Sequence, residues 1–300
     1  MANIEALYSG RVRDDEVPGW WQRLGLGGLV DIHVHFLPDS VMNAVWAYFD
    51  QAVAHYGVAW PVTYRTLVAD RLATLDALGV RVFPALVYPH KPDMAAWLNS
   101  WARDFAARTP GCVPSGTFYP ESGASQYVKE ALELGKQIFK VHLQVGGYDP
   151  RDEELDAVWG QLAEAGVPVV VHCGSGPIPG RHTGPGPMGE VLRNHPRLTA
   201  VIAHLGMPEY AEHLKLAETY PNVHLDTTMA CTPFTEAMAP MPRDLVPRYA
   251  ALQDRVVLGS DFPNIPYEYA VQLESLERLE LGDEWLRAVC WENGARLLGR

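Results

Sequence analysis

Five ionisable side chains fall at the ends of short apolar runs, where a polar group is costly unless it is paired or bound to a metal. They are His33 and His35 in LVDIHVH, His172 in VPVVVHCG, His204 in LTAVIAHLG and Asp261 in RVVLGSDF. Alternate residues of an extended strand point the same way. His33 and His35 therefore share a face, about 6–7 Å apart along the chain, while Val34 turns to the other side. Two imidazoles so placed can close on one divalent ion. His172 and Asp261 would complete a nitrogen and oxygen set that leaves a position for water, as catalytic zinc sites require. A bound cation lowers the pKa of such a water toward neutrality and makes it a nucleophile. His204 then suits a place behind the ligands, as a base or as an orienting partner for that water. Each residue alone has an ordinary reading: a histidine satisfied in a core, or for Asp261 a turn before Phe262–Pro263. All five at strand ends, in this order, point instead to a metal centre.

These residues converge only if the runs that carry them are neighbours in space. Eight apolar, β-rich runs occupy 29–35, 80–87, 112–119, 137–145, 167–174, 198–206, 222–228 and 255–262. Several are almost continuously apolar, as parallel strands covered on both faces are. Amphipathic stretches lie between them. Leu155, Val158, Trp159 and Leu162 sit at helical spacing before Gly166, with Asp152 and Glu153 at the positive end of the helix dipole. Val68, Leu72, Leu75 and Leu78 repeat the pattern before Gly79. Strand–helix alternation of this length predicts an α/β fold, a (β/α)8 barrel over residues 29–300. A doubly wound sheet fits less well, because no glycine-rich phosphate turn follows the first strand. Active sites of barrels form at the C-terminal ends of the strands, so the five residues meet at one mouth.

Residues 1–28 read as an N-terminal extension lying on the barrel. The connection 36–79 carries Trp46, Tyr48, Phe49, Tyr56 and Trp60, enough to cover part of the mouth, with packing their first role. The stretch 174–187, GSGPIPGRHTGPGP, reads as a loop after strand 5. Other residues that follow or end strands are candidates for substrate contact: His142, Arg181, Tyr119 and Asn264, and more weakly His90, Glu121, Gln144, His182, Asp226 and Tyr267. Arg181 would pair bidentately with a carboxylate. His55, His195 and His213 fall in helical segments and are expected at the surface.

Composition excludes several roles. The 300 residues are 48% hydrophobic and carry 24 Lys and Arg against 36 Asp and Glu, a formal charge of −12. So acidic a chain repels phosphate backbones and anionic lipid, so neither nucleic acid nor membrane is an expected partner. No apolar run approaches the roughly 18–20 residues that span a bilayer. The first residues lack the apolar core of a secretory signal, and Cys112, Cys173, Cys231 and Cys290 show no C-x-x-C spacing. A cytoplasmic enzyme with reduced thiols and a small-molecule substrate is the expectation.

The segments VDIHVHFLP (30–38), FKVHLQ (139–144), PVVVHCGSGP (168–177), VIAHLGMPE (201–209), VLGSDFPNIP (257–266) and ENGARLLG (292–299) resemble the amidohydrolase superfamily. Within it they resemble the amidohydrolase-related branch similar to aminocarboxymuconate semialdehyde decarboxylase. The resemblance implies a metal at the mouth held by His33, His35, His172 and Asp261, with His204 as catalytic histidine. Binuclear members bridge two ions with a carboxylated lysine on strand 4, where this chain has Lys140. His142 lies two residues nearer the strand end and faces the same way, so Lys140 is expected deeper, ion-paired, beside a single ion. Zinc is the first choice, with manganese, iron or nickel as alternatives for such a set.

The leading reading is a metal-dependent hydrolase acting on a lactone, ester or amide of a small organic molecule, with Asp261 or His204 moving the proton. A decarboxylase of an unsaturated acid at the same centre is the alternative, and it would use Arg181 as its carboxylate anchor. A catalytically inert barrel is a third. The aromatics of 1–28 and 36–79 suit a homodimer interface or a lid equally.

Overall fold

A computed structural model describes Leu7, Tyr8 and residues 10–300; residues 1–6 and Ser9 of the expected extension lie outside the described residues. The strands are short: β1 (Leu29–Val30), β2 (Val80–Pro84), β3 (Cys112–Val113), β4 (Ser115–Gly116), β5 (Ile138–His142), β6 (Val169–His172), β7 (Ala200–Ile202), β8 (Val223–Asp226) and β9 (Val256–Val257). Every pairing is parallel, in chain order, as β1-β2-β3 and β4 through β9. Pro114 has no N–H to give a ladder, and it splits one stave into β3 and β4. The ring closes between the first and last staves. Val34 bridges Phe262 in parallel, and the His35 N–H donates to the Phe262 carbonyl at 2.7 Å. The architecture is the (β/α)8 barrel that the alternation predicts.

Local chemistry sets the element ends. Helix Glu153–Ala165 buries Leu155, Val158, Trp159 and Leu162; the Asp152 carboxylate accepts the Glu154 N–H at 3.0 Å, and Gly166 closes the helix at φ 64°. Helix Val68–Leu78 ends on Gly79 at φ 82°, where a Cβ would lie 2.6 Å from Nε1 of Trp21. That tryptophan donates to the Leu78 carbonyl at 3.1 Å and, with Val17 and Trp20, fixes helix Val17–Arg23 to the barrel wall. The run 137–145 does not stay extended to its end. His142 accepts the Val145 N–H at 3.3 Å, so the chain winds into a turn of helix, Leu143–Gly146, after β5. Side-chain capping there wins over strand propensity.

Val169, Val170 and Val171 are all fully buried, each contributing roughly 1.5–3 kcal/mol of apolar burial. The four cysteines are free and buried. His213, expected at the surface, is fully buried: Nδ1 lies 3.0 Å from the Glu209 carbonyl and Nε2 3.6 Å from Cys173 Sγ. No helix among the described residues is long and apolar enough to cross a membrane.

His224, on β8 away from the mouth, supplies a stability prediction. Burial, then the charges of Arg255 and Arg296, hold its pKa at about 4. The unfolded chain takes up this proton near pH 6.5 and the folded one only near 4, so stability is lost as pH falls across that interval. Its contribution to the loss is about 3 kcal/mol at most. His224→Leu should flatten the acid limb of a melting-temperature profile between pH 7 and 4; an unchanged limb would show that this residue does not set it.

Candidate active site

Parallel register brings the residues of different staves to one level. His142 pairs with His172 across β5 and β6, and Lys140 with Val170 one step below. The His142 and His172 rings stack at 3.9 Å between centroids. His204 lies 4.5 Å from His172 and 5.5 Å from His33, and His33 lies 5.1 Å from His35. Asp261 closes the group from the last stave, its Oδ1 2.9 Å from His35 Nε2 and 3.6 Å from His33 Nε2. The five sequence-selected residues and His142 therefore share one mouth. They form the floor of a cavity of about 630 Å³.

The backbone is bent to aim two of them. His204 (φ 58°) and Asp261 (φ 72°) are non-glycine residues in the left-handed region, a conformation that costs about 1–3 kcal/mol each. Hydrogen bonds hold them there. The His204 N–H donates to Asp226 Oδ1 at 2.9 Å, and the Asp261 N–H donates to the His33 carbonyl at 2.9 Å. Gly259 makes room: a Cβ on it would come 2.8 Å from that of His33 and 2.2 Å from Thr228 Oγ1.

The outer contacts fix which ring nitrogens face inward. His33 gives its Nδ1 proton to Asp226 Oδ2 at 2.8 Å, which leaves the Nε2 lone pair toward the cavity. His35 Nδ1 lies 3.0 Å from the Leu86 carbonyl, so its Nε2 lone pair meets the Asp261 carboxylate at 2.9 Å. Two acceptors that close need a positive partner, a proton or a metal ion. Nε2 of each histidine and one Asp261 oxygen lie within 4.8 Å of one another, the only such cluster of three among the described residues. This donor set fits a divalent cation. His172 is not part of that cluster. Its Nε2 faces the Gly176 carbonyl at 3.0 Å and its Nδ1 faces His204 Nε2 at 3.1 Å, while His204 Nδ1 faces the Thr228 carbonyl at 3.1 Å.

Burial sets the protonation states. It drives His33 down to about 3, with the Lys140 charge adding to it, and it also lowers His204 and, further, His142 and His172. At neutral pH these imidazoles are uncharged and able to bind a metal or take a proton. Burial alone would raise Asp261, but the positive partner it must share with His35 across their 2.9 Å contact outweighs that and keeps the carboxyl well below its usual range. Asp226 behaves alike, held at about 2 because the His33 contact overcomes its burial.

Lys140 lies one register step below His142, as expected, yet its side chain reaches up: Nζ is 3.0 Å from His33 Nε2. Burial lowers its pKa to about 8. Asn264 lines the cavity, with its Oδ1 accepting from Trp46 Nε1 at 3.1 Å and its carbonyl from Trp60 Nε1 at 2.7 Å. His142 also lines it. The other two substrate candidates do not. Arg181 is exposed on the loop after β6, and the Tyr119 hydroxyl is committed to the Gly146 carbonyl at 3.1 Å.

Three residues that sequence reasoning passed over or ranked low prove central. Asp226 ends its strand as Asp261 does, and its buried carboxylate braces two histidines. Tyr88 follows β2 at the mouth with its ring 5.4 Å from both His35 and His142. Asp31 accepts the His33 N–H at 3.1 Å and the Tyr269 hydroxyl at 2.9 Å, and burial raises its pKa to about 7. A strand-end position marks Asp226 and Tyr88; nothing in the sequence marks Asp31 beyond its place two residues before His33.

Comparison with known proteins agrees with the fold. The family model described as amidohydrolase matches residues 30–300. A comparison with curated proteins finds no match. Among solved structures, the chain is similar to an uncharacterized TIM-barrel protein from Bordetella bronchiseptica, with a TM-score of 0.70 at 19% identity over 91% of this chain and 100% of that one. It is also similar to 5-carboxyvanillate decarboxylase from Sphingomonas paucimobilis (TM-score 0.60, 15% identity, 91% and 99% covered). A third is a probable 2-pyrone-4,6-dicarboxylic acid hydrolase from Acinetobacter baumannii (TM-score 0.60, 12% identity, 91% and 100% covered). At these identities the likeness is one of fold.

The Asp226 contact makes a sharp prediction. In Asp226→Asn an amide N–H turned to His33 Nδ1 would push the ring proton to Nε2 and remove the inward lone pair. Zinc affinity, measured by competition with a chromogenic chelator, should fall about 10–100-fold with the far-UV spectrum unchanged. Wild-type affinity in a folded variant would show that the carboxylate does not govern the site.

Proposed function

This chain belongs to the amidohydrolase family, and from that premise we propose that it is a metal-dependent hydrolase. It adds water to the carbonyl of a lactone, ester or amide of a small organic molecule. The observation that carries the reading is the convergence of His33 Nε2, His35 Nε2 and an Asp261 oxygen on the floor of a cavity large enough for such a substrate. These three residues would hold one divalent ion, zinc first, and His172 would join as the fourth ligand only by turning its Nδ1 away from His204. When bound, the ion supplies a Lewis acid that acidifies water and polarises a carbonyl.

The chain's own residues do the rest. Hydrolysis forms one bond from water oxygen to the acyl carbon and breaks the bond to the leaving oxygen or nitrogen. The proton that water loses must reach the leaving group. His204 is placed to carry it: Thr228 holds Nδ1, so Nε2 is the basic atom, and burial keeps the ring neutral at pH 7. Asp261, ionised at the same pH, is the other acceptor on the path. A decarboxylase at this centre would need a cation free to anchor a carboxylate. Beside the metal site, no arginine lines the cavity among the described residues to serve as that anchor.

Protein purified without chelator should contain about one metal equivalent per chain by elemental analysis, and His35→Ala and Asp261→Asn should lose it. Hydrolysis of a lactone and ester panel, followed by acid release, should vanish on chelation and return with zinc or manganese. His204→Ala should lower kcat by about 10²–10⁴ while still binding the metal. Absence of metal, with none taken up on addition, overturns the reading. Release of carbon dioxide in place of acid would identify a decarboxylase instead. Two equivalents would bring in Lys140 as a bridging ligand and overturn the single-ion assignment.

A further inference from the structure

Resting on the hydrolase reading, we infer that the substrate carries an uncharged apolar ring, received by the helix Asp39–Phe49 and the residues after it. This helix has two apolar stripes. Met42 and Trp46, one turn apart, are buried against the barrel wall with Leu98 and Ala102. Val41, Ala44, Val45 and Tyr48, at i, i+3, i+4 and i+7, lie on another side and line the cavity. The second stripe is only partly covered by protein. Six large apolar side chains are well exposed among the described residues, and two of them line this cavity: Tyr48, at 46%, and Val145, at 43%, on the turn after β5. Apolar surface left wet in a concave site is what an apolar ligand covers with a gain.

The wall is also organised in advance. Phe49 stacks on Trp60 at 5.0 Å with 26° between the planes, and the Trp60 Nε1–H is already committed to the Asn264 carbonyl at 2.7 Å. Trp60 therefore offers a substrate only apolar ring surface, and it is held in place before binding. Charge argues the same way. Lys140 is the sole lysine or arginine lining the cavity among the described residues, and its Nζ sits on His33 Nε2 at 3.0 Å. A carboxylate on the substrate's ring would be taken from water onto valine and aromatic surface, with no lysine or arginine on that wall to receive it. The geometry thus selects a neutral aromatic or alicyclic lactone, ester or amide.

The test uses the metal-loaded enzyme and a matched pair, dihydrocoumarin and its 6-carboxylate. The neutral lactone should have a kcat/KM at least about 100-fold higher, the scale on which an uncompensated buried charge is rejected. Val45→Arg should narrow that ratio by about tenfold or more, and Val45→Leu should keep it. Binding is read separately with chroman, which has the ring but no scissile carbonyl, through a change in tryptophan fluorescence that Trp60→Phe abolishes. Chroman binding without turnover of either lactone would defeat the hydrolase reading and leave the apolar site standing. Equal turnover of the pair, a preference for the carboxylate, or no chroman binding by an enzyme that hydrolyses lactones would overturn the present inference.

Discussion

The Asp226 carboxylate is the contact on which the mouth of the barrel depends. It is fully buried, so its charge is tolerated only because every direction it faces offers a proton. His33 Nδ1 gives one at 2.8 Å, the His204 N–H a second at 2.9 Å and the Thr228 N–H a third at 3.1 Å. These bonds run to the first stave, to the loop after β7 and to the segment after β8. One side chain thereby sets the tautomer of His33, in the proposed metal set, and the strained backbone of His204, proposed to move protons. In a low-dielectric interior such charge-assisted bonds are strong when complete and costly when one member is missing. Geometry and protonation are coupled here.

A second constraint ties the cover of the cavity to its floor. Asn264 follows Asp261 by three residues, and its N–H donates to the Asp261 carbonyl at 2.8 Å. Its side chain and its carbonyl then receive the indole N–H groups of Trp46 and Trp60. The Thr63 N–H reaches the Ile265 carbonyl at 2.9 Å. The long connection after the first strand is thus anchored beside Asp261, the carboxylate of the proposed metal set. In the proposed reaction, the apolar walls above would select and orient the substrate and the ionisable groups below would do the chemistry.

Much of this was legible in the chain. Continuous apolar runs such as VPVVVH can only be parallel strands covered on both faces, and helix spacing ended by glycine, as at Leu155–Gly166, leaves little freedom in where helices stop. His33, His35, His204 and Asp261 betrayed themselves as polar groups at apolar strand ends. Other features were not legible because their cause is not local. Asp31 and the burial of His213 depend on what another segment places beside them. Arg181 looked like an anchor by residue type alone, yet its loop carries it into solvent.

The order of residues alone carries the alternation, the side of each strand on which its histidines lie, and the family to which the motifs belong. Periodicities of 2 and 3.6 residues are properties of a chain and can be read from it. Packing across the barrel is what gathers His33, His35 and Asp261 into the compact trio, with His172 turned toward His204 and Gly176. It also brings Lys140 up to His33 and has the 36–79 connection present an apolar face to the cavity. Those outcomes rest on distances of about 3 Å between residues as many as 226 positions apart, His35 and Asp261, set by register and packing across the barrel rather than by any neighbour in sequence.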